Sequence, residues 1–290
     1  MQGEPDRRRL VLIEANWQAK PLITLLETTP AVCRAVEFRH VEQRHELDTL
    51  LASGDPDLSR LVEVWQQVTD FWKPELWGRP AGLPGHARLV RFPVFDGHCF
   101  WPLAGSDPRN RSEPPFYPDG RYRFSDRIAS TLAEHPGNDE ALYDAYLQQS
   151  GEALGDPDTW LIAEIARMAG RDALCDAAFT LFFLQNYRRT RLFHAPGAPA
   201  GPVYHWLGVR LAEHLASGID ADPPTLGTAV SRQALGLQGI AQFQYPVHPL
   251  VAGRLGLDWA PDGSRARFGK NAWDHRAAIL RAIRWQDWAP

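Results

Sequence analysis

Three polar side chains at the end of an apolar run raise the question of chemistry. In LVLIEANWQAKPLITLL (10–26), Asn16, Gln18 and Lys20 bracket a tryptophan where a strand gives way to a helix. Side-chain amides at such a junction donate hydrogen bonds to a carbonyl or a developing oxyanion, and a helix N-terminus adds a field that favours negative charge. The plainer account makes Asn16 a helix cap and Gln18 a surface residue. A second polar exit, Gln66, Gln67, Thr69 and Asp70, follows another apolar run. If the two strands lie side by side, their loops converge; alone, a polar exit from a buried strand is ordinary.

The stretch FDGHCFWP sets Asp96 and His98 two apart around Gly97. In an extended segment residues i and i+2 share a side, so carboxylate and imidazole would act together, with Cys99 facing the other way. An imidazole of near-neutral pKa is the usual base for an alcohol, and a carboxylate orients it. A lone histidine also serves plain packing. Further along, QNYRRTRLFHAPG places Arg188, Arg189 and Arg191 beside His194. Guanidinium groups suit phosphate or pyrophosphate, and they equally well close a helix C-terminus. In YPVHPLV, His248 is fixed by the X-Pro bonds around it, either as a presented side chain or as a simple turn.

The elements that must position these groups follow from periodicity. Leu10–Glu14, Val36–Val41 and Leu61–Gln67 read as strands, and Lys20–Glu27 and Arg44–Ala52 as helices, with Pro21 tolerated in a first turn. Such alternation predicts a small parallel sheet, whose ligands bind at the carboxyl ends of the strands. Leu89–Phe95 reads as another strand leading into the Asp96–His98 loop. Helices then dominate: Ser125–His135, Asn138–Gly151 with Asn138 as cap, Pro157–Met168, Arg171–Arg191, Gly201–Ser217 and His275–Trp285. The fold class expected is α/β. Residues 1–118 form an α/β subdomain with strand-end binding loops, and 119–290 a helical part completing the cleft, the whole one integrated domain.

At 290 residues, with 44% hydrophobic and 23% charged, the chain has an ordinary globular balance. A formal net charge of −4 argues against a general nucleic-acid binder. Cys33, Cys99 and Cys175 are far apart without CxxC spacing, so neither a disulfide framework nor a zinc site is implied, and no metal is expected. No long apolar run suggests a membrane span, and a cytoplasmic location is expected. Eleven tryptophans and 24 prolines crowd irregular stretches such as 74–118 and 195–202; long ordered loops commonly carry function. No GxSxG elbow, P-loop, GxGxxG or HExxH occurs, which excludes P-loop phosphoryl transfer and the usual serine-hydrolase arrangement.

Taken in order, these segments resemble the WcbI family, acetyltransferases of bacterial capsular polysaccharide biosynthesis. ANWQAKPLITLL is similar to the family's GNCQ start, with Asn16 and Gln18 matching, and WQQVTDFW to its glutamine-containing second loop, placing Gln67 and Asp70. RFPVFDGHCFWPL, FLQNYRRTRLFHAPGAPAG and YPVHPLVAGRLGL resemble later family stretches. The resemblance implies a mainly helical, cradle-like fold with a small N-terminal α/β subdomain, and coenzyme A or acetyl-CoA bound as co-substrate in a loop-rich cleft. It implies O-acetyl transfer to a sugar or glycan hydroxyl, with polysaccharide-assembly proteins as possible partners. His98, oriented by Asp96, would take the acceptor's proton, and Asn16 and Gln18 would hold the oxyanion. Lys20, Gln67, Arg188, Arg189 and His248 would meet the coenzyme. Trp17 stands where the family has its cysteine, so no thiol at that position is the nucleophile, and His194 departs from the family's NHP. Two other readings are a non-catalytic coenzyme- or carbohydrate-binding component of an envelope-assembly complex and a carbohydrate esterase.

Overall fold

The computed structural model describes residues 8–235 and 243–287. In chain order the first elements are β1 (Arg9–Glu14), α1 (Ala19–Glu27), α2 (Pro30–Ala35), β2 (Val36–Val41), α3 (Arg44–Ala52), β3 (Leu61–Val68) and β4 (Arg88–Pro93). Then come α4 (Arg127–Thr131), α5 (Asp139–Leu154), α6 (Pro157–Asp172), α7 (Thr180–Asn186), β5 (Phe193–Ala195), β6 (Ala198–Pro199) and α8 (Gly201–Leu215). The last are α9 (Pro223–Ala234), α10 (Pro249–Leu255), β7 (Ala266–Phe268), β8 (Asn271–Trp273) and α11 (His275–Ile283). The class is the expected mixed α/β. The chain divides into two units. The first takes residues up to Phe95, then Ala166–Leu184 and the stretch from Gly201; the second takes Asp96–Ile165, Gln185–Ala200 and the C-terminal stretch.

The first unit is built on a four-stranded parallel sheet of order β2-β1-β3-β4. Strand β1 is apolar on both faces because it lies inside the sheet, as the run LVLI foretold; Leu10 to Ile13 are fully buried. Leu10 and Leu12 pack with Leu47 and Leu51 of α3, Leu58, and Leu61 and Val64 of β3. Burial on this scale stabilises by about 1.5–3 kcal/mol per large apolar side chain. Helix α3 opens on a capping box, Glu46 Oε2 accepting from the Gln43 amide at 3.1 Å. The chain steps outward from β1 to β2, then returns past β1 to β3. That reversal puts a topological switch point between β1 and β3.

Both edges of this sheet are occupied. Along β4, the amides of Asp176 and Ala177 donate to the Arg91 carbonyl (2.9 and 3.2 Å), and the Arg91 amide donates to the Asp176 carboxylate at 2.7 Å. At the other edge, Glu37 and Arg39 of β2 join Asp55, Asp57 and Arg60 in a network of ion pairs.

In the second unit, α4, α5 and α11 share a core of Ala129, Leu132, Leu142, Tyr146, Ile279, Leu280 and Ile283. Asn138 caps α5 as expected, its Oδ1 accepting from the Ala141 amide at 3.0 Å.

Three local expectations are corrected. The helix expected over Arg171–Arg191 is broken: α6 ends at Asp172 and α7 runs only over Thr180–Asn186. The cause is the Asp172 carboxylate, which accepts from the Phe179 and Thr180 amides (2.8 and 2.7 Å) and so stabilises a turn. The helix expected over Ser125–His135 shrinks to α4, set by Asp126 as its cap. The Asp96–His98 segment is not extended. Gly97 is left-handed at φ 64° and His98 opens a 3-10 turn through Phe100, so the same-side argument for this pair fails. Helix α9 had no counterpart in the pattern reading.

Gly97 has a second constraint besides its dihedral. A Cβ there would lie 2.6 Å from the Phe193 ring. We expect Gly97→Ala to lower stability by roughly 2 kcal/mol or more, through left-handed strain plus the clash, measured as a shift of the urea midpoint. An unchanged midpoint would contradict this account of the turn.

Candidate functional site

The carboxyl ends of β1, β3 and β4 are joined by amide side chains. Gln67 accepts from the Asn16 amide through Oε1 (3.0 Å) and donates through Nε2 to Gln18 Oε1 (2.9 Å). Gln18 in turn grips the backbone of Phe95, its Nε2 donating to the Phe95 carbonyl at 2.8 Å and its Oε1 accepting from the Phe95 amide at 3.2 Å. Gln18 and Gln67 are buried, so these bonds form in a medium where an unpaired amide would be costly. Of the residues singled out from sequence, Asn16, Gln18 and Gln67 are therefore brought together.

Asn16 differs from its two supporters. Its Oδ1 accepts from the Gln18 amide (2.8 Å), which closes the turn that starts α1. With the oxygen so committed, the Nδ2 group has no partner among the described residues and lies on a half-buried side chain at the switch point. No acidic side chain occupies the first turn of α1, so the field of that helix N-terminus is uncompensated there. Trp17 is half-buried. Lys20 is exposed and meets Glu42 at 3.6 Å, a pair open enough to solvent to be exchanged for another anion.

A second polar row on the sheet was invisible in the sequence as a unit. Glu14, Gln66 and Arg91 are in register across β1, β3 and β4. Gln66 Nε2 donates to Glu14 Oε2 (2.7 Å), Arg91 Nε donates to Gln66 Oε1 (3.3 Å), and Arg44 of α3 meets Glu14 at 3.4 Å. Glu14 is the residue that pattern reading missed; its position as the last residue of an apolar central strand was the available signal. Asp70 shapes its own turn, its Oδ1 accepting from the Trp72 amide at 2.9 Å.

The remaining candidates belong to the second unit. His98 is exposed at the start of its 3-10 turn, and Asp96 is half-buried, its carbonyl accepting from the Gly197 amide at 2.6 Å. Arg188 and Arg189 are exposed just beyond α7, with Arg188 Nε donating to the Tyr187 hydroxyl at 3.0 Å. Arg191 is a strap within the protein: it donates to the Tyr245 and Phe193 carbonyls (2.7 and 3.2 Å) and lies over the Trp259 ring. Burial pulls its pKa down to about 10. His194 is buried in β5, its carbonyl accepting from the Tyr245 amide at 2.7 Å.

His248 is placed as a structural residue. Its Nδ1 accepts from the Leu250 amide (3.1 Å), capping α10, and that leaves Nε2 to donate to the Ser150 hydroxyl (2.9 Å). Both ring nitrogens are thus engaged inside the protein. Beside it, at 5.0 Å between ring centroids, His275 has Nδ1 against the Tyr143 hydroxyl at 3.0 Å. Burial lowers His248 to about 4, helped by Arg254, and lowers His275 to about 3, helped by His248. Among the described residues no group of three or more His, Cys, Asp or Glu side chains is arranged to hold a metal ion. None of the described helices is long and apolar enough to cross a membrane.

With this geometry in view, the chain matches the family model described as "Polysaccharide biosynthesis enzyme WcbI" over residues 10–218, more than two thirds of its length. It is similar to a solved structure of WcbI, called a novel polysaccharide biosynthesis enzyme and described as the native protein without a disulfide bond between coenzyme A and one of its cysteines. That likeness has a TM-score of 0.65 at 19% identity and covers 96% of this chain and 89% of the other. None of the curated proteins matches.

The buried histidine pair sets an acid limit. Both folded-state pKa values lie below the ordinary 6.5, so the unfolded chain binds the extra protons. The stability they contribute is complete above pH 6.5 and is lost as pH falls towards 4 and then 3. Melting temperature followed from pH 7 to pH 4 is expected to fall, and to fall less steeply in His275→Gln. An equal slope in that variant would remove His275 from the account.

Proposed function

Because the chain belongs to the WcbI family of polysaccharide biosynthesis enzymes, we propose that it transfers an acetyl group from acetyl-CoA to a sugar hydroxyl. The observation that carries this reading is Asn16: an amide nitrogen without an internal partner, held by Gln67 and Gln18 at the switch point of a parallel sheet, beside an uncompensated helix N-terminus. Such a donor suits the oxygen of a thioester carbonyl as it gains charge. Gln18 takes a holding role instead of sharing this task, because the contacts described tie its amide to Gln67 and to the Phe95 backbone. Lys20 and the exposed Arg188 and Arg189 are the cations we assign to the coenzyme's phosphates.

The naming of coenzyme A with a cysteine in the solved WcbI makes that coenzyme the first donor to try. Here Trp17 occupies the turn between Asn16 and Gln18, so the transfer is direct, without an acyl-enzyme at this turn. The acceptor oxygen attacks the thioester carbonyl, the carbon–sulfur bond breaks, and coenzyme A leaves as its thiolate. The proton lost by the alcohol passes to a base and from it to the sulfur. His98, an exposed imidazole, is our candidate for that base.

Trp17 also favours a second reading, a coenzyme- or carbohydrate-binding component without turnover. Release of thiol from acetyl-CoA, followed with and without sugar acceptors, separates the two. Acceptor-dependent release supports transfer; coenzyme binding without release supports the binding component; cleavage of simple acetyl esters would instead favour an esterase.

In that assay, Asn16→Ala is expected to lower kcat by about a hundredfold to a thousandfold, the usual effect of deleting one oxyanion donor, with KM for acetyl-CoA little changed. His98→Ala is expected to lower kcat by at least about a hundredfold while coenzyme binding survives. Full turnover in either variant would overturn the role given to that residue.

A further inference from the structure

The second unit contains a cavity of about 50 Å3 that the reading above does not use. Trp101, Leu103, Phe124, Tyr245, Phe268 and Ile279 give it aromatic and aliphatic walls. Nearly every polar group of the lining is already engaged. Ser125 Oγ donates to the Tyr122 carbonyl (2.7 Å), the Tyr122 hydroxyl to the Gln286 carbonyl (2.8 Å), and Trp101 Nε1 to the Pro246 carbonyl (3.1 Å). One Asp126 oxygen caps α4 and the other accepts from the Tyr146 hydroxyl at 2.8 Å. Both nitrogens of His248 are engaged as described. Two exceptions remain: the Tyr245 hydroxyl, which accepts from the Phe124 amide at 3.5 Å and whose hydrogen has no partner among the described residues, and His275, whose Nδ1 faces Tyr143 and whose Nε2 has none.

Size and polarity together narrow the ligand. At roughly 10–15 Å3 for each water-sized occupant, the cavity holds a group of about three to five heavy atoms. Apolar walls without a spare counter-charge reject an ion. We assign the Tyr143 hydroxyl as the donor to Nδ1, which puts the ring hydrogen on Nε2, so His275, like the Tyr245 hydroxyl, offers a donor. The matching group is uncharged, with a methyl-sized apolar end and one acceptor oxygen. We propose that this cavity receives the acetamido group of an N-acetylated sugar, its methyl against the aromatic wall and its carbonyl oxygen on His275. The choice of a sugar as carrier rests on the functional reading above; the preference for an acetyl group does not.

Saturation-transfer NMR on the full chain at pH 7 tests this with four probes: N-acetylglucosamine, acetamide, glucosamine and glucose. The acetyl methyl of the first two is expected to receive the strongest saturation, and the last two to receive none. Ala282→Leu, which fills the cavity from α11, is expected to weaken N-acetylglucosamine at least roughly tenfold. His275→Gln, which keeps a donor, is expected to stay within about threefold. Ala104→Val, filling the cavity from another lining position, replaces Ala282→Leu if circular dichroism shows that variant unfolded. No saturation of the acetyl methyl, equal saturation of glucose, or undiminished binding to a folded cavity-filled variant would overturn the proposal. A chain that never releases thiol from acetyl-CoA would leave these titrations unaffected, so the two readings fail separately.

Discussion

The first unit depends on amides that must not be left unpaired. Where three parallel strands end together, their last backbone groups lose the ladder that satisfied them, and water is excluded by the surrounding side chains. Gln18 and Gln67 supply the missing partners, imitating peptide groups between the exits of β1, β3 and β4. The result is a rigid floor under the Asn16 turn. A side chain used in chemistry works best when its neighbours leave it a single orientation, and here the orientation is imposed through the oxygen of Asn16, leaving its nitrogen outward.

The same economy of partners separates structural from chemical candidates in the second unit. A histidine with both nitrogens engaged, as His248 has, stiffens the junction of α5 and α10 and holds its ring neutral. An arginine that bonds two carbonyls and covers a tryptophan, as Arg191 does, holds strands and loop together. Exposure alone distinguishes His98, Arg188 and Arg189 from these, and it is why the proposed chemistry is given to them.

Much of the first unit was legible in the sequence because its signals are local. An apolar run bounded by Asn-Trp-Gln, a proline in a first helical turn and the alternation of apolar periods each act within a few residues, so β1, α1, β2, α3 and β3 emerge with nearly correct bounds. What stayed hidden depends on distant partners. The break between α6 and α7 comes from one carboxylate reaching amides seven and eight residues on, and the space that only a glycine fits at position 97 is set by the Phe193 ring nearly a hundred positions away. The candidate site divides in the same way: Asn16, Gln18 and Gln67 could be named from spacing, whereas the register that aligns Glu14 with Gln66 and Arg91 exists only once the sheet is formed. Asp96 and His98 were paired on an extended geometry that a left-handed glycine replaces.

The occupied sheet edges have a consequence for how the protein behaves among copies of itself. On one side the 176–177 segment already takes the hydrogen bonds a foreign strand would need; on the other, β2 presents ion-paired glutamate and arginine that an incoming strand would have to desolvate. Both features work against edge-to-edge pairing, one by occupying the Arg91 backbone groups and the other by the desolvation an incoming strand would meet.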